Sequence, residues 1–148
     1  MPAYLIDTNH ASRLMDGAEP ILSRVRRSIG RGDMFFLSIT IVGELYYAVY
    51  ASQRVDNNLM RLQTLRTLAP TLPFDGAAAE EYGHIQAEQK AKGRPIPGTD
   101  TQIAAVARLH RLTVLTMDRH FSFVNGVTTA NWLETGESNV DGTGAETG

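Results

Sequence analysis

The sequence predicts an α/β fold with a central parallel sheet of four to five strands flanked by helices. Short apolar runs alternate along the chain with longer segments in which apolar residues recur at helical spacing. The first two runs, residues 3–6 and 34–38, show no apolar/polar alternation, which is typical of strands covered on both faces of a parallel sheet. A chain of 148 residues that is 43% hydrophobic can form one domain with a buried core.

Each predicted element is bounded by residues that start or stop regular structure. The predicted strands are residues 3–6 and 34–38, a weak edge strand at 71–74 that contains Pro73, 112–116, and a short strand at 127–129. The first predicted helix is capped by Thr8 or Asn9 and ended by Gly17. Four further helices are predicted at residues 20–28, 41–52, 56–68 and 75–92, and Thr40 is the predicted cap of the helix at 41–52. The last predicted helix is opened by Thr99 or Asp100 and runs to about residue 110. Trp132 is predicted to anchor the end of the domain.

The domain is predicted to span residues 1–133, and residues 134–148 form a tail rich in Gly and acids that is predicted to be disordered. The absence of cysteine excludes a disulfide scaffold and a thiolate metal site. No apolar run approaches the roughly 18 residues that a membrane helix needs, and the N-terminus lacks a signal-peptide layout. We therefore expect a cytoplasmic protein without membrane contact.

Four acids occupy positions from which they could meet in one site. Asp7 and Asp118 follow predicted strands, Glu44 lies beside the apolar stripe of a helix, and Asp100 shares a helix face with Ile103. Taken singly, Asp100 could be only a helix N-cap, Glu44 a solvated side chain, and the other two turn residues. Taken together, they offer hard oxygen ligands that suit Mg²⁺ or Mn²⁺.

Polar neighbours of these acids could support the site. Thr8, Asn9 and Thr116 could hold waters or orient carboxylates, although helix capping explains Thr8 and Asn9 as well. His10 and His120 lie near two of the acids in sequence, but no zinc-binding pattern is present and solvated surface histidine is the favoured interpretation. The chain also lacks a phosphate-binding Gly-x-x-x-x-Gly-Lys-Ser/Thr loop and a Gly-x-Ser-x-Gly elbow.

The charge balance permits a polyanionic partner. Residues 1–133 hold 14 bases and 12 acids, so eight acids face 14 bases if four acids belong to a metal site. Four bases cluster on or just after the second helix: Arg24, Arg26, Arg27 and Arg31. We predict that this arginine cluster contacts an RNA backbone, with a solvated helix face as the alternative.

Four stretches of the chain resemble the PIN-domain ribonucleases, particularly the VapC-type toxins of bacterial and archaeal toxin–antitoxin modules. The resemblance spans about residues 3–133 and rests on Leu5-Ile6-Asp7-Thr8-Asn9, Ser38-Ile39-Thr40-Ile41-Val42-Gly43-Glu44-Leu45, Asp100-Thr101-Gln102-Ile103-Ala104-Ala105 and Thr116-Met117-Asp118-Arg119-His120-Phe121. One departure is Thr99, where many relatives carry Asn.

The resemblance implies a PIN-like three-layer fold in which Asp7, Glu44, Asp100 and Asp118 bind one or two Mg²⁺ or Mn²⁺ ions. It implies hydrolysis of RNA to a 5′-phosphate and a 3′-hydroxyl, with Thr116 as a site hydroxyl. It also implies a homodimer and a cognate antitoxin protein whose C-terminal segment blocks the site. The RNA target is not indicated.

Other classes of protein fit less well. A haloacid-dehalogenase-like enzyme would carry a second Asp two residues after Asp7, where this chain has Asn9. A receiver-type signalling domain would need an acidic pair near its first strand and a Lys after its last core strands, and residues 113–118 lack Lys. A PIN-fold RNA-processing nuclease without a toxin role and an inactive PIN-like binding module stay open as alternatives.

Overall fold

The fold is built on a five-stranded parallel sheet, seen in a computed structural model that describes residues 2–134. The strands are β1 (Ala3–Ile6), β2 (Met34–Ser38), β3 (Thr71–Leu72), β4 (Thr113–Leu115) and β5 (Thr128–Ala130). Their order across the sheet is β3-β2-β1-β4-β5, and every neighbouring pair is parallel. The predicted α/β fold is confirmed, and the strand that contains residues 71–72 lies at an edge as Pro73 suggested.

Six helices flank this sheet. They are α1 (Thr8–Met15), α2 (Ile21–Gly30), α3 (Ile39–Tyr50), α4 (Val55–Leu68), α5 (Gly76–Ala91) and α6 (Gly98–His110), with a short 3-10 helix at Arg119–Phe123. Helix α1 contacts α2, α3 and α4, whereas α5 packs mainly on α6. Within residues 2–134, no helix combines the length and apolar character needed to cross a membrane.

The central strand β1 brings the first acid to the carboxyl edge of the sheet. Leu5 and Ile6 are fully buried between β2 and β4, as the unbroken apolar run predicted. The backbone N–H of Asp7 continues the ladder by donating to the carbonyl of Leu115 at 3.0 Å. Asp7 is therefore held by strand pairing at the point where its side chain leaves the sheet.

The first helix begins differently from the sequence prediction. Its N-cap is Asp7 itself, whose Oδ1 accepts a hydrogen bond from the backbone N–H of Thr8 at 2.8 Å. Capping by Thr8 or Asn9 was therefore wrong, because the carboxylate already stands at the strand-to-helix corner with extended backbone geometry. Asp7 thus has a structural role in addition to its place at the candidate site.

Two other predicted caps also differ in the structure. Helix α3 is capped by Ser38, whose Oγ accepts from the N–H of Ile41 at 3.2 Å, and not by Thr40. Helix α6 starts after Pro97, so Asp100 is its third residue. The interpretation of Asp100 as an N-cap is wrong, and its side chain needs another partner.

The end of the described chain is anchored by an aromatic cluster, as predicted for Trp132. The Trp132 ring lies 4.8 Å from that of Tyr4 and 6.1 Å from that of Phe35, measured between centroids. Its backbone N–H donates to Nε2 of His10 at 2.9 Å. The predicted disordered tail, residues 134–148, lies outside the described residues except for Glu134, and its disorder stays a prediction.

His10 is fully buried, which contradicts the prediction of a solvated histidine. Burial lowers the pKa of its imidazole to about 4, with the charge of Arg13 acting in the same direction. The ring is therefore neutral near pH 7 and accepts the Trp132 N–H. His10 is a structural link between α1 and the end of the domain.

Candidate functional site

The site lies at the carboxyl edge of the sheet, where a single hydroxyl joins two strand ends. Thr116, directly after β4, donates from Oγ1 to Oδ2 of Asp7 at 2.7 Å. The same Oγ1 accepts a hydrogen bond from the backbone N–H of Asp118 at 2.9 Å. Thr116 is almost completely buried, so it fixes the carboxylate of Asp7 relative to the backbone that carries Asp118.

Glu44 reaches the site from α3 and is held by a second threonine. The Thr8 hydroxyl donates to Oε1 of Glu44 at 2.6 Å, which links the start of α1 to the middle of α3. Thr8 thus orients a carboxylate, one of the two roles considered for it from the sequence. Asn9 is exposed and, within residues 2–134, makes no side-chain hydrogen bond, so the structure does not bring it into this network.

Asp100 and Asp118 meet at His120. The Nδ1 atom of His120 lies 2.7 Å from Oδ2 of Asp100 and 3.2 Å from Oδ1 of Asp118. One potential ligand atom from each of these residues lies within 4.8 Å of the others, which is close enough to share an ion. The sequence prediction weighed a supporting role for His120 but favoured a solvated ring, and the signal for the contact was its position two residues after Asp118, where a short helical turn returns the side chain to the acid.

The acids influence one another electrostatically. Burial raises the pKa of Asp7, and the charges of Glu44 and Asp100 raise it further, against the opposing hydrogen bonds from Thr116 and Thr8. Burial also raises the pKa of Asp100, and the charge of Asp118 adds to this effect while the hydrogen bond from His120 opposes it. Electrostatic influence thus connects Asp7 to Glu44 and Asp100, and Asp100 to Asp118, while a shared site for all four acids stays a prediction.

The chemistry of this group fits a divalent cation. Within residues 2–134, no Lys or Arg forms an ion pair with Asp7, Glu44, Asp100 or Asp118. Gathered carboxylates without a counter-charge are unfavourable unless a cation joins them or some are protonated. Carboxylate oxygens suit Mg²⁺ or Mn²⁺, and the described residues close enough to share one ion are Asp100 and Asp118, with the nitrogen of His120.

An open cleft borders the group on the α3 side. Its volume is about 640 Å³, and its lining includes Thr8, Glu44, Thr40 and Tyr47 together with Thr99, the residue at which the chain departs from the family pattern. Across this region the hydroxyl of Thr40 donates to Oε1 of Gln102 at 2.9 Å, which ties α3 to α6. Of the four acids, Glu44 lines this cleft, which is open to solvent.

The predicted arginine cluster lies elsewhere. Arg31 forms an ion pair with Asp33 at 3.1 Å, just before β2 begins, which places it at the edge of the sheet opposite the acids. Arg26 and Arg27 are exposed, and Arg24 is half-buried. The structure does not bring Arg31 to the acidic group, and RNA contact by the cluster stays a prediction.

Comparison with known proteins agrees with this fold. A profile of the PIN domain matches residues 4–127. The chain belongs to the PIN-domain family.

Its relatives within that family are of the VapC type. The chain is 32% identical over 133 residues to the tRNA(fMet)-specific endonuclease VapC of Shigella flexneri, covering 89% of this chain and 99% of that protein. It is 31% identical over 135 residues to ribonuclease VapC2 of Haemophilus influenzae, covering 90% of this chain and all of the relative. The resemblance seen in the sequence motifs is confirmed.

Solved structures show the same fold. A DNA-bound VapBC complex from Salmonella typhimurium contains a chain that matches with a TM-score of 0.77 and 27% identity, over 89% of this chain and 99% of that one. A chain of VapBC2 from Rickettsia felis, bound to a DNA fragment from its promoter, matches with a TM-score of 0.80 at 20% identity over 88% and 98% of the two chains.

Proposed function

We propose that this protein is a Mg²⁺- or Mn²⁺-dependent endoribonuclease and the toxin of a toxin–antitoxin pair. The observation that carries the proposal is the convergence of four carboxylates at one sheet edge without a Lys or Arg partner among the described residues. The names of the VapC relatives, which describe ribonucleases, support the choice of RNA as substrate.

The proposal assigns a role to each side chain of the site. Asp7, Glu44, Asp100 and Asp118 hold the cation. Thr116 sets Asp7 relative to Asp118, and Thr8 sets Glu44. His120 keeps Asp100 and Asp118 together.

A divalent ion held by Asp7, Glu44, Asp100 and Asp118 would lower the pKa of a bound water and would stabilise negative charge on a phosphoryl oxygen. In the overall hydrolysis, one water adds its hydroxyl to phosphorus and its remaining proton to the 3′ oxygen as the bond between that oxygen and phosphorus breaks. The products are a 5′-phosphate and a 3′-hydroxyl, as the family resemblance implies. The chain's own contribution is to fix the carboxylates and to present the open cleft beside Glu44 to RNA.

The proposed partners follow from the structural neighbours. These include VapBC and FitAB complexes, some with DNA, so we assign this chain a cognate antitoxin whose C-terminal segment blocks the acidic site. A homodimer and a cytoplasmic location complete the proposal. The arginine cluster is proposed to contribute RNA contacts, and the RNA target is left open among tRNA, rRNA and mRNA.

The decisive experiment measures cleavage of a structured RNA by the purified full chain, free of antitoxin. Cleavage is expected with Mg²⁺ or Mn²⁺ and is expected to stop in EDTA and in Asp100→Asn. Equal cleavage by Asp100→Asn and wild type would exclude the assigned site. RNA binding without any cleavage by wild type in either metal would instead identify an inactive PIN-like binding module.

A further inference from the structure

Two basic residues that the sequence prediction did not use are linked to the acidic group through side chains of the 3-10 helix. Lys92 and Arg94 follow α5, and both contact Phe123, the last residue of the 3-10 helix. The guanidinium carbon of Arg94 lies 4.3 Å from the centroid of the Phe123 ring, and Nζ of Lys92 donates to the Phe123 carbonyl at 2.8 Å. Phe123 therefore fixes the positions of two cationic side chains.

Phe123 also connects these cations to the carboxylates through His120. Its ring centroid lies 6.3 Å from that of His120, and Nδ1 of His120 contacts Asp100 and Asp118. Arg94 is thus connected to Asp100 and Asp118 through two intervening side chains, those of Phe123 and His120.

Both cations are available for an external ligand. Lys92 and Arg94 are exposed and, within residues 2–134, neither forms an ion pair. Arg108, in the same region, has a side chain that is only 17% exposed and is paired with Glu81 and Glu88. Stacking on an aromatic ring orients a guanidinium without consuming its N–H donors, which match the oxygens of a phosphate.

We propose that Lys92 and Arg94 bind RNA phosphates next to the phosphodiester that is cut. This inference rests on the proposed ribonuclease function and names further substrate-binding residues. A phosphate at the cation site brings neighbouring phosphates toward four carboxylates, which repel them, so nearby basic side chains are needed to hold the strand. RNA is favoured over a protein carboxylate because these cations are connected, through Phe123 and His120, to the group assigned to hold the metal.

The test measures RNA binding without cleavage. The full chain carrying Asp100→Asn is titrated with fluorescently labelled 12-nucleotide oligouridylate and oligoadenylate in Mg²⁺, between 50 and 200 mM salt. Lys92→Gln and Arg94→Gln are each expected to weaken binding about tenfold. Together they are expected to flatten the plot of log affinity against log salt by about 1.4, since each lost contact with single-stranded RNA contributes about 0.7.

Matched controls separate a local contact from a loss of net charge. Arg54→Gln with Arg111→Gln removes two exposed charges, and Arg111 lies just before β4, at the sheet edge opposite the acids. This double variant should keep the wild-type salt slope. Arg94→Lys keeps the positive charge but changes the packing against Phe123. If the charge binds phosphate, this variant should retain most of the salt slope; if only the packing matters, it should not. Melting temperatures show that each variant is folded.

Each outcome decides the inference. A salt slope for Lys92→Gln with Arg94→Gln equal to that of the control double variant would overturn it. The same result combined with weaker binding of the antitoxin would assign the two cations to a protein contact. Absence of metal-dependent cleavage by wild type tests the proposed function separately, because the binding titration does not depend on cleavage.

Discussion

An aspartate lies at each edge of the parallel sheet, and the two differ in the charges that surround their carboxylates. At the N-terminal edge Asp33 is only 8% exposed. It accepts a hydrogen bond from the Ser28 hydroxyl and forms an ion pair with Arg31 at 3.1 Å. At the carboxyl edge Asp7 also accepts from a hydroxyl, that of Thr116, but it faces the charges of Glu44 and Asp100.

The difference separates a structural acid from a candidate functional one. Both carboxylates accept a hydrogen bond from a hydroxyl, so that contact does not distinguish them. The distinguishing feature is the counter-charge, which the chain supplies to Asp33 and which, within residues 2–134, no Lys or Arg ion pair supplies to Asp7. Stored repulsion of this kind is typical of sites completed by a ligand.

The largest expected effect is on cleavage. Asp7→Asn should lower the rate of RNA cleavage by at least about 100-fold, because it removes a proposed metal ligand with little change of shape. Asp33→Asn should leave the rate per folded molecule unchanged. Single-turnover assays at saturating Mg²⁺ compare the two, and a comparable loss in both variants would show that the edges do not differ in function.

The second effect concerns folding stability at the N-terminal edge. Asp33→Asn should lower the free energy of unfolding by about 1–3 kcal/mol, because it breaks the ion pair with Arg31 and disturbs the buried contact with Ser28. Urea unfolding at pH 7 measures this change. Asp7→Asn in EDTA should show no such loss, since Asn caps a helix about as well as Asp and the substitution removes one repelling charge.

The third effect is stabilisation by metal. Mg²⁺ at about ten times its dissociation constant should add roughly 1.4 kcal/mol to the stability of wild type, a melting shift of about 3–6 °C. Asp33→Asn should show the same shift from its lower starting temperature. Asp100→Asn should gain less, and an identical shift in Asp100→Asn and wild type would show that Asp100 is not a ligand.

The smallest effect is a dependence on pH in EDTA. Folding raises the pKa of Asp7 above its ordinary value of 3.8. Protonation of Asp7 therefore stabilises the folded state fully below pH 3.8, and this stabilisation is lost as the pH rises through the pKa of the folded state. The melting temperature of Asp7→Asn should therefore exceed that of wild type by a gap that opens from about pH 4 upward, to about 1–3 °C. A gap that narrows with rising pH would contradict the assigned direction.

The sequence was sufficient for the sheet and for the placement of two acids at its carboxyl edge because both depend on local patterns. An unbroken apolar run predicts a covered strand, and the residue after it must emerge at the carboxyl edge. Asp7 and Asp118 could be placed by that rule alone. The edge position of β3 followed in the same way from Pro73.

Tertiary partners could not be predicted from the sequence. A histidine has no spacing rule that tells a buried acceptor from a solvated ring, so both His10 and His120 were assigned to the surface. The caps at Asp7 and Ser38 were missed because several adjacent polar residues can cap a helix and only the turn geometry selects one. The sequence grouped Arg31 with three neighbouring arginines, and only the structure shows that its side chain is paired with Asp33.

The hydrogen bond from Thr116 to Asp7 joins residues 109 positions apart in the chain. During synthesis the ribosome releases Asp7 more than a hundred residues before Thr116, Asp118 and His120. A nascent chain therefore carries an incomplete set of proposed ligands until nearly the whole domain has emerged, and any product that ends before β4 lacks Thr116 and Asp118 altogether. We therefore expect a nascent chain of this proposed nuclease to be inactive until translation has passed His120.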